Sequence, residues 1–343
     1  MKRFSPFLIV ITFFVSSSAF ACSDFLVKAK DGSVVVGRSM EYPIDLKSEV
    51  CIVPRGGAKY GFLGINVYHS KDVFVEGFNE QGLSIDGLMY AGAEYQAPGA
   101  GQEIMIEHIG GWALGNFATV AEVKTALPKV RIVASKDKKL KDLGMHLAFH
   151  DATGQSLVVE FIGGKVKVYD NPLGVMTNRP DFPWQLTNLR NYVNLDSHDK
   201  NPKLVNGVKI EPTGVGSGML GLPGDWTPPS RFVKLALCVD SALPVKDAAG
   251  AVNLAEHILN AVDIPKGLIK ESTEVPTVDI YGIAQWTIIK DLTNKVLYYK
   301  TYDNTAWKSV DLKKFDLAPG APRKSLAIAD QIGSVIDVNG RLK

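Results

Sequence analysis

Cys22 follows Ala19-Phe20-Ala21, a small-x-small triplet that closes an apolar run near the N-terminus. Signal peptidase cuts after such triplets, so the spacing predicts a finished chain whose first residue is Cys22. A cysteine in that place carries a thiol and a free α-amine on one residue, a nucleophile with its own base. The reference pKa values, ~7.7–8.0 for the amine and ~8.5 for the thiol, allow a proton to pass between them near neutral pH. The chemistry expected is thiolate attack on an amide carbonyl, expulsion of an amine, and hydrolysis of the thioester left behind.

The preceding residues fit an export signal. Lys2 and Arg3 form a positive start, residues 7–15 (FLIVITFFV) an apolar core, and three serines lead into the triplet. That run is too short for a membrane-spanning helix, which takes ~20 residues. The expectation is a signal peptide over 1–21 and one domain over 22–343, secreted or periplasmic, with no membrane contact after cleavage. A second reading exists. Lipoproteins are cut before a cysteine that then carries lipid, although Ala19 and Phe20 suit that pathway poorly. It would give a non-catalytic exported lipoprotein or binding protein, because lipidation blocks both the amine and the thiol.

With 46% hydrophobic and 22% charged residues among 343, the composition is that of a globular protein. The net charge of +2 vanishes when Lys2 and Arg3 leave, which argues against nucleic acid or an anionic membrane as partner. Three cysteines are too few for a disulfide framework. Cys51 and Cys238 sit in apolar runs and read as small buried hydrophobes, with a bridge between them left open.

Hydrophobic spacing supplies the elements. Strands are expected over 23–30 and 33–41 around the Asp31-Gly32 turn, over 72–78 and 83–90, and in a series from 144 to 178. Helices are expected near 103–115, 119–127, 181–193, 230–242 and 248–262, and closing strands over 281–290 and 295–302. Strands, helices, strands, helices, strands give an α+β fold, a four-layer αββα sandwich. His146 and His150 are four apart, but in a strand-like run and without a zinc-protease glutamate, so structural roles are expected. The glycines at 214, 216 and 218 lack a P-loop lysine and read as a flexible loop near the pocket. Ser217 is not in a nucleophile elbow, because Val215 stands where the first glycine should be.

Several long segments carry a family likeness: Cys22 itself, "VVGRSMEY", "NEQGLSIDGLMY", "GVMTNRPDFPW", "GLPGDWTPPSRF", "DIPKG" and "YYKTYDN". In these the chain resembles the choloylglycine hydrolase family of N-terminal-nucleophile hydrolases, which includes penicillin V acylases and conjugated bile salt hydrolases. The resemblance implies an amidohydrolase with no metal or organic cofactor, and a possible homotetramer. It implies Cys22 as nucleophile, Arg38 beside it, Glu41 where the family commonly has aspartate, Asn178 as oxyanion donor and Arg231 as a second active-site arginine. Met89 takes a position that is asparagine in many bile salt hydrolases and tyrosine in some penicillin V acylases. Its backbone N–H is the expected second oxyanion donor. Glu41 is expected to anchor the α-amine despite its extra methylene, and Tyr42, Met89, Tyr90 and Trp226 to line an acyl pocket. Met89, "DIPKG" and the export signal favour a penicillin V acylase-like enzyme, with N-acyl homoserine lactones as a candidate natural substrate. A conjugated bile salt hydrolase is the alternative.

Overall fold

The computed structural model describes residues 21–137, 140, 143–271 and 280–329; of the expected signal over 1–21, all but Ala21 lies outside the described residues. β1 (Ser23–Lys28) and β2 (Val34–Glu41) pair antiparallel around the predicted turn. Gly32 holds a φ of 88° there, a left-handed conformation that glycine adopts without strain. β3 (Glu49–Val53), β4 (Phe62–Asn66), β5 (Phe74–Asn79) and β6 (Ser84–Met89) form a meander. β7 (Gln102–Met105) then leads through a 3₁₀ turn, Ile106–His108, to α1 (Ile109–Asn116), α2 (Val120–Ala126) and β8 (Val130–Val133). β9 (Met145–His150), β10 (Ser156–Ile162), β11 (Lys165–Asp170) and β12 (Val175–Met176) precede α3 (Phe182–Asn188). An exposed hairpin, β13 (Lys203–Val205) and β14 (Val208–Ile210), stands before α4 (Pro228–Ser241) and α5 (Ala248–Asn260). The short β15 (Lys270–Glu271) and β16 (Ile280–Tyr281) lead to β17 (Ala284–Asp291), β18 (Val296–Thr301), β19 (Lys308–Asp311) and β20 (Lys324–Ala327).

The expected αββα sandwich is observed. A six-stranded sheet runs β12-β1-β2-β17-β18-β19, and an eight-stranded sheet runs β11-β10-β9-β6-β5-β4-β3-β20. α4 and α5 cover the outer face of the first, and α1 and α2 that of the second. β2 is buried along its whole length, as a strand covered on both faces must be. α1 lies so close to β5 that a Cβ on Gly110 would overlap the Phe74 carbonyl oxygen. The helix predicted over 103–115 is corrected at its start. Residues 102–105 pair in parallel with β8, with Ile104 buried, and the helix begins only at Ile109. β4 and β8 went unpredicted, since strands of only five and four residues give a weak signal. The 214–218 loop is tied down, because Asp199 Oδ1 accepts from the Gly216 and Ser217 amides at 2.7 and 2.9 Å. Cys51 and Cys238 are both free thiols.

Between the sheets lies a fully buried ionic cluster. Arg38 Nε approaches Glu76 Oε2 at 3.4 Å and Asp86 Oδ1 at 3.8 Å. Lys290 pairs with Asp86 and donates to Ser84 Oγ at 2.8 Å, while His150 Nε2 lies 2.6 Å from Asp24 Oδ1. Burial alone would raise the Asp86 carboxyl, but Lys290 and Arg38 outweigh it and hold it low. Lys290→Met strands that carboxylate and is expected to cost about 3–5 kcal/mol of unfolding free energy. Urea denaturation reads this directly, and a loss below ~1 kcal/mol would contradict it.

Candidate active site

Strand alternation sorts the site residues. Asp24 pairs with Arg38 and Ser23 with Ser39, so Cys22, Asp24, Arg38 and Met40 face the second sheet. Cys22 is 0% exposed, and its Sγ lies 3.9 Å from Met40 Sδ. Arg38 donates to the Ser39 carbonyl and, at 2.7 Å, to the Gly87 carbonyl, and it lies 3.7 Å from Met40 Sδ. Burial would lower the Arg38 guanidinium, but Cys22, Glu76 and Asp86 raise it. The cation beside the thiol is therefore permanent.

Asn178 joins three parts of the site. Its Oδ1 accepts from the Cys22 nitrogen and from Arg231 Nη2, each at 2.8 Å. Its Nδ2 donates to the Met89 carbonyl at 2.8 Å. An arginine can only donate and a carbonyl only accept, so the amide's orientation is fixed. One Nδ2 hydrogen remains for a substrate oxygen. Tyr90 N donates to the Gly144 carbonyl opposite it, at 2.8 Å. By alternation the Met89 N–H and C=O point away from β9, toward Asn178. Ala21 precedes Cys22, so the Cys22 nitrogen is a peptide N–H.

Arg231 is placed by the start of α4. Pro228 and Pro229 open the helix, and Asp225 accepts from the Thr227 and Ser230 hydroxyls at 2.6 and 2.7 Å. Arg231 donates to the Cys22 carbonyl, to Ser23 Oγ at 2.8 Å and to the Trp226 carbonyl at 2.9 Å. It clamps the backbone of the nucleophile and the Asn178 amide together.

Two expected placements, those of Tyr90 and Trp226, differ, and Glu41 stands within the field of Arg231. Glu41 is three residues from Arg38 in a strand, so it faces the helix layer and not the Cys22 side chain. The group holding the Cys22 nitrogen is Asn178. Tyr90 points away from Met89 and packs on His146 at 4.9 Å, with Arg179 over its ring. Trp226 turns to the Asp263 carbonyl at 2.9 Å. Tyr42 and Met89 do line a cavity of 180 Å³, together with Met40, Val67, Val73, Val75, Leu143 and Met145. Sequence reasoning missed Met40, which its alternation with Arg38 could have revealed, and the Asp24, Glu76, Asp86, Lys290 and His150 cluster. His146 bridges Glu160 and the Thr177 carbonyl at 3.3 and 2.8 Å, a structural role like that of His150. Asp24, Asp86 and His150 offer ligand atoms within 4.8 Å of one another, the spacing of a metal site, but Lys290 already brings its cation to Asp86.

Glu41 invites a pH test. Burial pushes its carboxyl up to about 7, against the pull of Arg231, Ser39 and Arg38, with Asp263 adding to the rise. The folded value exceeds the unfolded one, so this group's stability is complete below ~4.3 and is lost as pH rises through 7. In a chain that keeps Ala21, the melting temperature should fall between pH 5 and 8 more steeply for wild type than for Glu41→Gln. Parallel curves would contradict the assignment.

The model of the linear amide C–N hydrolases of the choloylglycine hydrolase type matches residues 22–334. The chain belongs to the choloylglycine hydrolase family. Members are hydrolases of linear amide C–N bonds, and this protein is such an enzyme. The bile salt hydrolase/transferase of Clostridium perfringens is 30% identical over 315 residues, covering 86% of this chain and 94% of that protein. A crystal structure of a variant of conjugated bile acid hydrolase from the same organism superposes with a TM-score of 0.83 at 28% identity, over 93% of this chain and all of the other. The penicillin V acylase of Pectobacterium atrosepticum is 26% identical over 320 residues, covering 83% and 78%. The order expected from Met89 and "DIPKG" is thereby reversed, since bile salt hydrolases are the stronger matches.

Proposed function

We propose that the protein is exported, cut before Cys22, and hydrolyses N-acyl amides through a thioester on that cysteine, with bile-salt-type conjugates as its first substrate class. The observation that carries this reading is the Asn178 amide, which holds the Cys22 nitrogen with one oxygen while keeping an N–H for an oxyanion. Arg38 favours the thiolate by its fixed charge. The sulfur bonds to the substrate carbonyl carbon, and the carbonyl electron pair moves to oxygen. Asn178 Nδ2 and the Met89 N–H donate to that oxyanion. Collapse breaks the C–N bond, and the leaving amine takes its proton from the Cys22 α-ammonium. The amine then draws a proton from water, hydroxide attacks the thioester, and the C–S bond breaks to restore the thiolate.

A second reading, hydrolysis of small aryl-acyl amides such as penicillin V, is favoured by the cavity. Its 180 Å³ compares with about 150 Å³ for a protein cavity that takes benzene. Amine release from glycocholate, taurocholate, penicillin V and long-chain acyl homoserine lactones, with Cys22→Ser as control, tests both. Turnover of the bile conjugates supports the first reading, and turnover confined to penicillin V supports the second. No turnover of any amide by a chain with a free Cys22 terminus would defeat both.

A further inference from the structure

The terminal nitrogens of Arg38 donate to the Ser39 and Gly87 carbonyls. Those contacts leave the Nε edge of the guanidinium, which faces Glu76 on β5. Glu76 is fully buried, and each of its oxygens meets a donor from the opposite sheet. Oε1 accepts from Trp286 Nε1 on β17, and Oε2 lies 3.4 Å from Arg38 Nε. Neither Arg38 Nε nor Glu76 Oε2 forms a hydrogen bond among the described residues, which leaves each to the other's charge. Asp86 is 3.8 Å from the same nitrogen but already pairs with Lys290. Trp286 stands opposite Met40 in the strand register, and Met40 Sδ is 3.9 Å from the Cys22 sulfur. Contacts thus run from Trp286 to Glu76, from Glu76 to Arg38, and from Arg38 to the thiol.

We propose that Glu76 is a positioning residue for the nucleophile, fixing the Arg38 guanidinium beside Cys22, with Trp286 fixing Glu76 in turn. The inference rests on the amide-hydrolase reading, in which Arg38 stabilises the Cys22 thiolate. A nucleophile whose partner is oriented by a third group is a recurrent arrangement, and here the partner is a cation instead of a base. The residue type fits the task. Both neighbours of Glu76 are donors, an indole N–H and a guanidinium N–H, and a carboxylate accepts at both oxygens. A glutamine of the same shape must turn its NH₂ toward one of them. Charge alone works the other way, because deleting a buried negative charge beside the Arg38–Cys22 pair favours the thiolate. A fall in turnover on neutralising Glu76 therefore reports lost alignment. Burial pushes the Glu76 carboxyl up to about 7 against the pull of Arg38, with Asp86 adding to the rise and Lys290 and Trp286 opposing it.

The test compares the mature chain with Glu76→Gln, Arg38→Met and the double variant at about pH 8, where Glu76 is ionised. Amide hydrolysis is measured, and so is Cys22 alkylation by iodoacetamide, after subtraction of the Cys22→Ser background. Glu76→Gln should lower kcat and the alkylation rate about tenfold, the thiolate lost with one pKa unit, and keep KM within about twofold. In the Arg38→Met chain the same change should lower neither rate further. It should raise the melting temperature above that of Arg38→Met alone, because it removes the carboxylate stranded there. Glu76→Gln at or above the wild-type rates, or losses that multiply in the double variant, overturns the proposal and leaves the amidase reading standing. The expected alkylation pattern in a chain that hydrolyses no amide overturns the amidase reading and leaves the role of Glu76 standing.

Discussion

Cys22→Ser is expected to lower amide turnover by a factor on the order of 10⁵–10⁶, with the fold intact. Loss of the nucleophile in other acyl-transfer enzymes has effects of this size, because the remaining groups only position the substrate and stabilise its oxyanion. The replacement changes one atom, in a site where the sulfur lies 3.9 Å from Met40 Sδ and beside the Arg38 guanidinium. Melting temperature should stay near wild type, so the loss reports chemistry and not unfolding. Residual turnover within tenfold of wild type would remove Cys22 from the mechanism.

Asn178 carries the second large effect. Asn178→Ala removes the Nδ2 donor and the oxygen that holds both the Cys22 nitrogen and Arg231. Loss of one oxyanion donor typically slows kcat by about 10²–10³. Asn178→Asp separates the two duties. The aspartate keeps an oxygen for the Cys22 nitrogen and Arg231 but loses the N–H, and it places a negative charge beside the oxyanion. Its kcat should fall at least as far as that of the alanine variant, with little change in KM. An aspartate variant close to wild type would assign Asn178 to positioning alone.

Legibility of the fold in the sequence followed the range of the forces involved. The β1–β2 hairpin was legible because Asp31-Gly32 fixes its turn locally. α4 and α5 were legible because their apolar faces repeat at the helical period, while β7 was mistaken for helix because only its parallel pairing with β8 makes it a strand. Within the site, Cys22 was marked by the residues ahead of it, and Arg38, Asn178 and Arg231 by the family motifs. Tyr90 departs from its expected place because it lies one residue from Met89, and period-two alternation sends it to the other face. The cavity wall draws on β5, β9 and the loops around Val67 and Leu143, so no local pattern could have assembled it. The buried cluster left a faint trace, single charges inside apolar strands at Glu76, Asp86 and Lys290, whose mutual pairing appears only when the two sheets stack.

The most direct measurement is the N-terminal sequence and intact mass of the protein recovered after export. The account predicts a first cycle that releases cysteine, and a mass equal to residues 22–343 with the amine and thiol unmodified. A chain that starts elsewhere, or a mass increased by lipid on Cys22, would contradict it.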